Sequence, residues 1–155
     1  MTRYRVKIAT WTIVREDGVQ DPKDISSPVA AADLARDLIP DDGREHSWGF
    51  YLNRHNRLLF AHEISVGTAS ETLVHPREVF GPALRGGASA IIVAHNHPGG
   101  SLTPSRDDRL LTRKLKDAGG IVGVELYDHV IITHDRPGYW SFAEHGGLNR
   151  EDATI

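Results

Sequence analysis

The chain has 155 residues, 39% of them hydrophobic and 25% charged, with a formal net charge of -3 and no cysteine. That length and composition allow one globular domain with a sizeable core. They exclude disulfides, cysteine-ligated zinc fingers and thiol nucleophiles, and the slightly negative net charge gives no electrostatic hint of nucleic acid without excluding it.

In chain order, "YRVKIATWTIV" (4–14) alternates as a strand does, with Val6, Ile8 and Thr10 on one face. It lacks the apolar block of a signal peptide, and no apolar run approaches the roughly 20 residues that span a bilayer. With no cysteine, the expected location is a reducing cytoplasm. "REDGVQDPKD" reads as a loop. "SSPVAAADLARDLI" reads as a helix capped by Ser27, opened by Pro28 and stopped by Pro40 to Gly43, with Ala31, Leu34, Ala35 and Leu38 on one face. "EHSWGFYLN" and "RLLFAHEISVG" predict an antiparallel hairpin around "NRHN". "HPREVFGPALRGG" predicts a helix opening at Pro76 and interrupted by Pro82.

"ASAIIVAH" is a continuous apolar run suited to a central buried strand. The following "TPSRDDRLLTRKLKDAGG" predicts a helix capped by Thr103, with Pro104 in its first turn, Leu111 and Leu115 on its buried face, and Gly119 and Gly120 at its end. "IVGVELYDHVIIT" gives one or two further strands and "GYWSF" a short last one. The expected architecture is one α/β or α+β domain over 1–155. It has a mixed central sheet flanked by about three helices, an N-terminal strand and loop over 1–25, and a flexible tail over 147–155.

The chemistry concentrates in "IIVAHNHPGGSLTPSRDD" (91–108). His95 and His97 are two apart at the end of a strand, so both imidazoles project to one face. Ser105 and Asp108 are three apart at a helix start and share a helical face. The intervening loop is long enough to fold the helix start over the strand end. Two imidazoles and a carboxylate are a common ligand set for a catalytic zinc. Read singly, each residue is ordinary: a histidine is more often structural, and Asp108 or Ser105 alone suits a helix N-terminus. The combination is far more specific than its parts.

That combination, His-x-His, then seven residues beginning with Pro98, then Ser, two residues and Asp, resembles the JAMM (MPN+) zinc metallopeptidase motif. "SVGTASETLVHPREVF", "AIIVAHNHPGG", "TPSRDDRLLTRKL" and "LYDHVIIT" resemble, in the same order, stretches of the RadC branch of that family, and the similarity runs from about Ser26 to Gly146. The resemblance implies a three-layer MPN/JAB (cytidine-deaminase-like) fold. It implies Zn2+ held by His95, His97 and Asp108, with Ser105 supporting the ligands or the oxyanion. It also implies a glutamate at the start of an early strand as general base, which falls on Glu45, with Glu63, Glu71 and Glu78 as rivals. The reaction implied is hydrolysis of an amide or isopeptide bond in a protein or peptide substrate. The alternatives are a non-catalytic MPN-fold interaction module and a RadC-type DNA-processing accessory protein. Two departures stand out: nothing here resembles the helix-hairpin-helix segment that often precedes the domain, and Gly99 stands where serine is common.

Other signals weigh less. The adjacent letters "HNH" do not form the dispersed ββα nuclease motif, and neither a His-Glu-x-x-His nor a deaminase signature occurs. Arg106, Arg109, Arg113 and Lys116 read as a solvated helix face rather than a phosphate-binding stripe. His75 reads as a helix-entry or site-wall residue. Asp128 and His129 could pair and orient groups behind the site, but they read rather as a buried structural pair.

Overall fold

The computed structural model describes residues 9–13, 24–67 and 74–149. Its elements run α1 (Pro28–Leu38), β1 (Glu45–Leu52), β2 (Leu58–Gly67), α2 (Pro76–Gly86), β3 (Ala90–Asn96), α3 (Arg106–Val122), β4 (Glu125–Ile132) and β5 (Tyr139–Ser141). The strands form one five-stranded sheet in the order β2-β1-β3-β4-β5. Only the β3–β4 pair is parallel. Of the strand expected over 4–14, residues 9–13 are described and form none; the rest lies outside the described residues.

The sheet is the middle of three layers. Even-numbered residues of β1 and β3, among them Phe50, Leu52, Ala90, Ile92 and Ala94, bury against α1. Odd-numbered ones, Tyr51, Ile91 and Val93, bury against α2 and α3 with Phe80, Ala83 and Leu115. Covered on both faces and flanked by β1 and β4, β3 is buried along its whole length, which is why it reads as an unbroken apolar run.

Ser27 caps α1 by accepting from the Ala30 N–H, with Pro28 in the first turn. The helix stops because Ile39, preceding Pro40, is held extended at φ -81 and ψ 118. In α2 the cap is His75, whose Nδ1 accepts from the Arg77 N–H. Pro82 does not end this helix, which runs through it to Gly86.

Two boundaries of α3 differ from expectation. The cap is Ser105, not Thr103, because Ser105 and Asp108 close a reciprocal capping box. The helix also passes Gly119 and Gly120 and ends at Gly123, which takes the left-handed conformation at φ 77. Gly119 is there for close approach: a Cβ would lie 2.4 Å from the Val124 carbonyl oxygen. Residues 121 and 122 are therefore helical, and "IVGVELYDHVIIT" yields one strand. Near the C-terminus, Gly147 and Asn149 donate to the carbonyls of Phe142 and Gly146. Residues 150–155 lie outside the described residues. No described helix is long and apolar enough to cross a membrane.

Candidate metal centre

The C-terminal end of β3 delivers His95 and His97, and the first turn of α3 delivers Asp108. Their tips converge. Nε2 of His95 lies 2.9 Å from Nε2 of His97 and 3.2 Å from Asp108 Oδ1, and Nε2 of His97 lies 3.2 Å from Asp108 Oδ2. One ligand atom from each residue falls within 4.8 Å of the others, the only such group of three among the described residues. In a tetrahedral site with metal–ligand bonds of ~2.0–2.1 Å, ligand atoms stand about 3.3–3.4 Å apart. The observed separations need open by only a few tenths of an ångström, so the donor set fits a metal ion. His95 and Asp108 are buried and His97 is half-buried, which excludes most of the water that would compete for them.

The loop between strand and helix orients the ligands. Gly100, at φ 82, turns the chain and donates to the His97 carbonyl. The positive φ is what calls for glycine; the nearest atom to a Cβ there, Asp135 Oδ2 at 2.6 Å, ends an exposed side chain that can swing away. The turn returns the Ser101 carbonyl to 2.7 Å from His97 Nδ1. A carbonyl only accepts, so Nδ1 carries a proton and Nε2 is the nitrogen left for a metal. At Gly99 a Cβ would meet nothing within 4 Å, so the departure there has no steric consequence.

Asp108 Oδ2 accepts from the Ser105 N–H at 2.7 Å, and the Asp108 N–H donates to Ser105 Oγ at 3.0 Å. The same carboxylate thus ties the helix start and faces the histidines. Burial opposes its ionisation, but hydrogen bonds from His95 and His97 outweigh burial and hold it well below the usual carboxylate range. Burial also pushes His97 down, yet Asp108, the Ser101 carbonyl and the charge of Glu45 together hold it above the ordinary imidazole value.

Glu45 is half-buried and opens β1. The β1–β3 ladder ends at Ser47 opposite His95. Continued by two residues, that register brings Glu45 level with His97, on the face shared by both ligand imidazoles. The rivals are elsewhere. Glu63 Oε2 is 3.0 Å from His46 Nδ1, on the opposite face of β1. Glu78 is exposed in the first turn of α2. Glu71 lies outside the described residues. Ser105 is exposed at the helix start, beside Asp108.

Asn96 and Thr112, which nothing in the sequence singles out, and His129, read there as structural, also bear on the site. Asn96 bonds to the peptide groups on either side of Glu45. His129 is wholly buried on β4, with Nε2 2.8 Å from His95 Nδ1, and Thr112 Oγ1 lies 2.6 Å from His129 Nδ1. Burial, followed by the charge of His95, pushes His129 well below the usual imidazole value. Asp128 and His129 do not pair through their side chains. Asp128 accepts from the His129 backbone N–H, from Ser141 Oγ–H and from the Ala143 N–H. The expected solvated face of α3 is present, with Arg106, Arg109 and Arg113 exposed and Leu115 buried.

Residues 25–148 match the family model of the RadC-like JAB domain. The chain belongs to the RadC-like JAB domain family. Among its relatives, a UPF0758 protein of Rubrobacter xylanophilus is 49% identical over 124 residues, 80% of this chain and 53% of the relative. One from Chlorobium phaeovibrioides is 42% identical over 111 residues, 72% of this chain and 49% of the relative. One from Thermotoga maritima is 55% identical over 85 residues, 55% of this chain and 37% of the relative. This JAB domain thus spans about half the length of the first two relatives and less of the third.

Proposed function

We propose that this JAB domain is a zinc-dependent hydrolase of the JAMM type, cleaving an amide or isopeptide bond in a protein or peptide substrate. The observation that carries the reading is the convergence of His95, His97 and Asp108 from a strand end and a helix start. A nitrogen and oxygen donor set of this composition suits zinc. When bound there, such an ion acidifies water and polarises a carbonyl.

The chain's own residues divide the remaining work. Glu45, two residues beyond the end of the β1–β3 ladder and near enough to His97 for its charge to act there, takes a proton from the attacking water and passes it to the leaving amine. The Ser105 hydroxyl accepts from the Asp108 N–H and keeps its own proton. It is free to donate to the oxyanion that develops on the substrate carbonyl.

The test has two parts. Elemental analysis of the purified chain should find about one zinc per chain. A panel of peptide and isopeptide substrates should then show cleavage that chelation abolishes and zinc restores. A chain that takes up no zinc overturns the reading. Zinc uptake with no cleavage across the panel favours an interaction module, and a salt-dependent shift of labelled DNA favours a DNA-processing accessory role.

A further inference from the structure

We infer that Thr112 and His129 set the tautomer of His95 through a directed chain of hydrogen bonds, so that the nitrogen facing Asp108 and His97 presents a lone pair. The inference rests on the metal-binding reading above and adds two residues that touch no metal.

The argument starts at the main chain of the third ligand. The Asp108 carbonyl oxygen can only accept, and the Thr112 hydroxyl donates to it at 2.7 Å from one turn further along α3. A hydroxyl has one proton. With that proton on the Asp108 carbonyl, Thr112 Oγ1 can only accept from His129 Nδ1, 2.6 Å away. His129 therefore carries its proton on Nδ1 and leaves Nε2 bare. That bare Nε2, 2.8 Å from His95 Nδ1, accepts in turn. His95 then carries a proton on Nδ1, which makes Nε2, 3.2 Å from Asp108 Oδ1, the nitrogen whose lone pair a metal would take.

The opposite order holds the same number of protons. Thr112 would donate to His129 Nδ1, His129 Nε2–H to His95 Nδ1, and His95 would be left with a proton on Nε2, where a metal needs a lone pair. The Asp108 carbonyl favours the first order and the Asp108 carboxylate, an acceptor beside His95 Nε2, the second; a metal on Nε2 would take the place of that proton and leave only the first. The backbone of the ligand on α3 thus prepares the ligand on β3, by way of a ring on β4. Two features fix that ring: it is wholly buried, and it stacks on Phe142 with centroids 5.0 Å apart and planes 14° from parallel. His129 is a positioning residue on this account, and Thr112 sets its direction.

The test uses the full chain with zinc. Long-range proton–nitrogen spectra of the zinc-loaded protein should show His129 and His95 both protonated at Nδ1, with His129 bare at Nε2. A His129 protonated at Nε2 overturns the inference. Zinc affinity is then measured by competition with a chelator. His129→Phe keeps the stacking ring but removes the acceptor, and zinc affinity should fall roughly 10–100-fold. His129→Gln, whose carboxamide oxygen reaches the place of Nε2, should stay close to the wild-type affinity. Thr112→Val should raise the reverse tautomer and weaken zinc binding. A folded His129→Phe or Thr112→Val that binds zinc like the wild type overturns the inference. Should His129→Phe fail to fold, the spectra of the wild type and Thr112→Val decide. A wild type that takes up no zinc overturns the metal reading; one that takes up zinc with His129 protonated at Nε2 overturns this inference alone.

Discussion

Asn96 brackets Glu45. Its Oδ1 accepts from the His46 N–H at 2.7 Å and its Nδ2 donates to the Arg44 carbonyl at 2.9 Å, so the peptide groups on both sides of Glu45 are held by one side chain. The bracket takes over where the β1–β3 ladder ends, at Ser47 and His95. Asn96 lies between the two candidate ligands in sequence and points to the other face of β3. One strand end therefore places two imidazoles on one face and, from the other, fixes the backbone of a third candidate residue. Asn96→Ala should leave both peptide groups without their partner, at a cost of about 1–3 kcal/mol for each that stays buried. Zinc content should be retained while turnover falls; a variant with undiminished turnover would show that Glu45 needs no such support.

Glu45→Gln tests the proton carrier directly. Glutamine keeps the shape and can hydrogen-bond a water but cannot take its proton. The variant should bind zinc like the wild type and lose roughly 10²–10⁴-fold in kcat on whichever substrate the panel identifies. Zinc loss in this variant would mean that Glu45 is a ligand instead.

Asp108 has two jobs, and two substitutions separate them. Asp108→Ala removes a candidate metal ligand and also the acceptor for the Ser105 N–H. Zinc occupancy, activity and metal-free stability should all fall, the last by about 0.5–2 kcal/mol as for a lost helix cap. Asp108→Asn keeps an oxygen for the Ser105 N–H but lacks the charge. It should lose zinc while denaturing near the wild-type midpoint when both are metal-free. Equal zinc content in all three proteins would remove Asp108 from the ligand set.

What the sequence made legible was whatever rests on local periodicity. The hairpin, the buried run of β3, the same-face spacing of His95 and His97, and the Ser105–Asp108 pairing follow from alternation and helical repeat. One boundary was open although its signal is local: Thr103 and Ser105 are both good caps, and the capping box with Asp108 decides between them. The rest depends on how the chain returns on itself. Gly119 looks like a stop until the Val124 carbonyl, in the turn after the helix, is seen to occupy the space of a side chain. His129 reaches His95 only because β4 lies parallel to β3, with His129 opposite Val93. Nothing in "LYDHVII" announces that register.

Ile92 tests the architecture. It is 3% exposed, sits opposite Phe50 on β1, and packs in the core beneath α1. Ile92→Ala should destabilise the chain by roughly 2–5 kcal/mol in chemical denaturation, from lost burial and the cavity left behind. Ile121, 86% exposed near the end of α3, is the control. Its replacement by alanine should change stability by no more than about 0.5 kcal/mol. Equal effects at the two positions would contradict the placement of β3.

His46 predicts a pH dependence of stability that needs no substrate or metal. The ring is buried between two carboxylates, with Nε2 3.0 Å from Asp42 Oδ1 and Nδ1 3.0 Å from Glu63 Oε2. An ionised carboxylate only accepts, so both bonds are made only when both ring nitrogens carry protons. Burial pushes the imidazole down, but Glu63 and Asp42 outweigh it and raise it above its ordinary value of 6.5. Hydrogen bonds from Arg44, then from His46, hold Asp42 well below the usual carboxylate range, so it stays ionised into mild acid. A group whose pKa is higher folded than unfolded stabilises fully below the unfolded value and loses that contribution as pH rises through the folded one. The His46 contribution should therefore be present at about pH 5.5 and fade by about pH 8.5. Denaturation of the wild type and His46→Gln at those two values should give a wide gap in acid and a narrow one in base. A gap that widens with rising pH would show a neutral His46 in the fold.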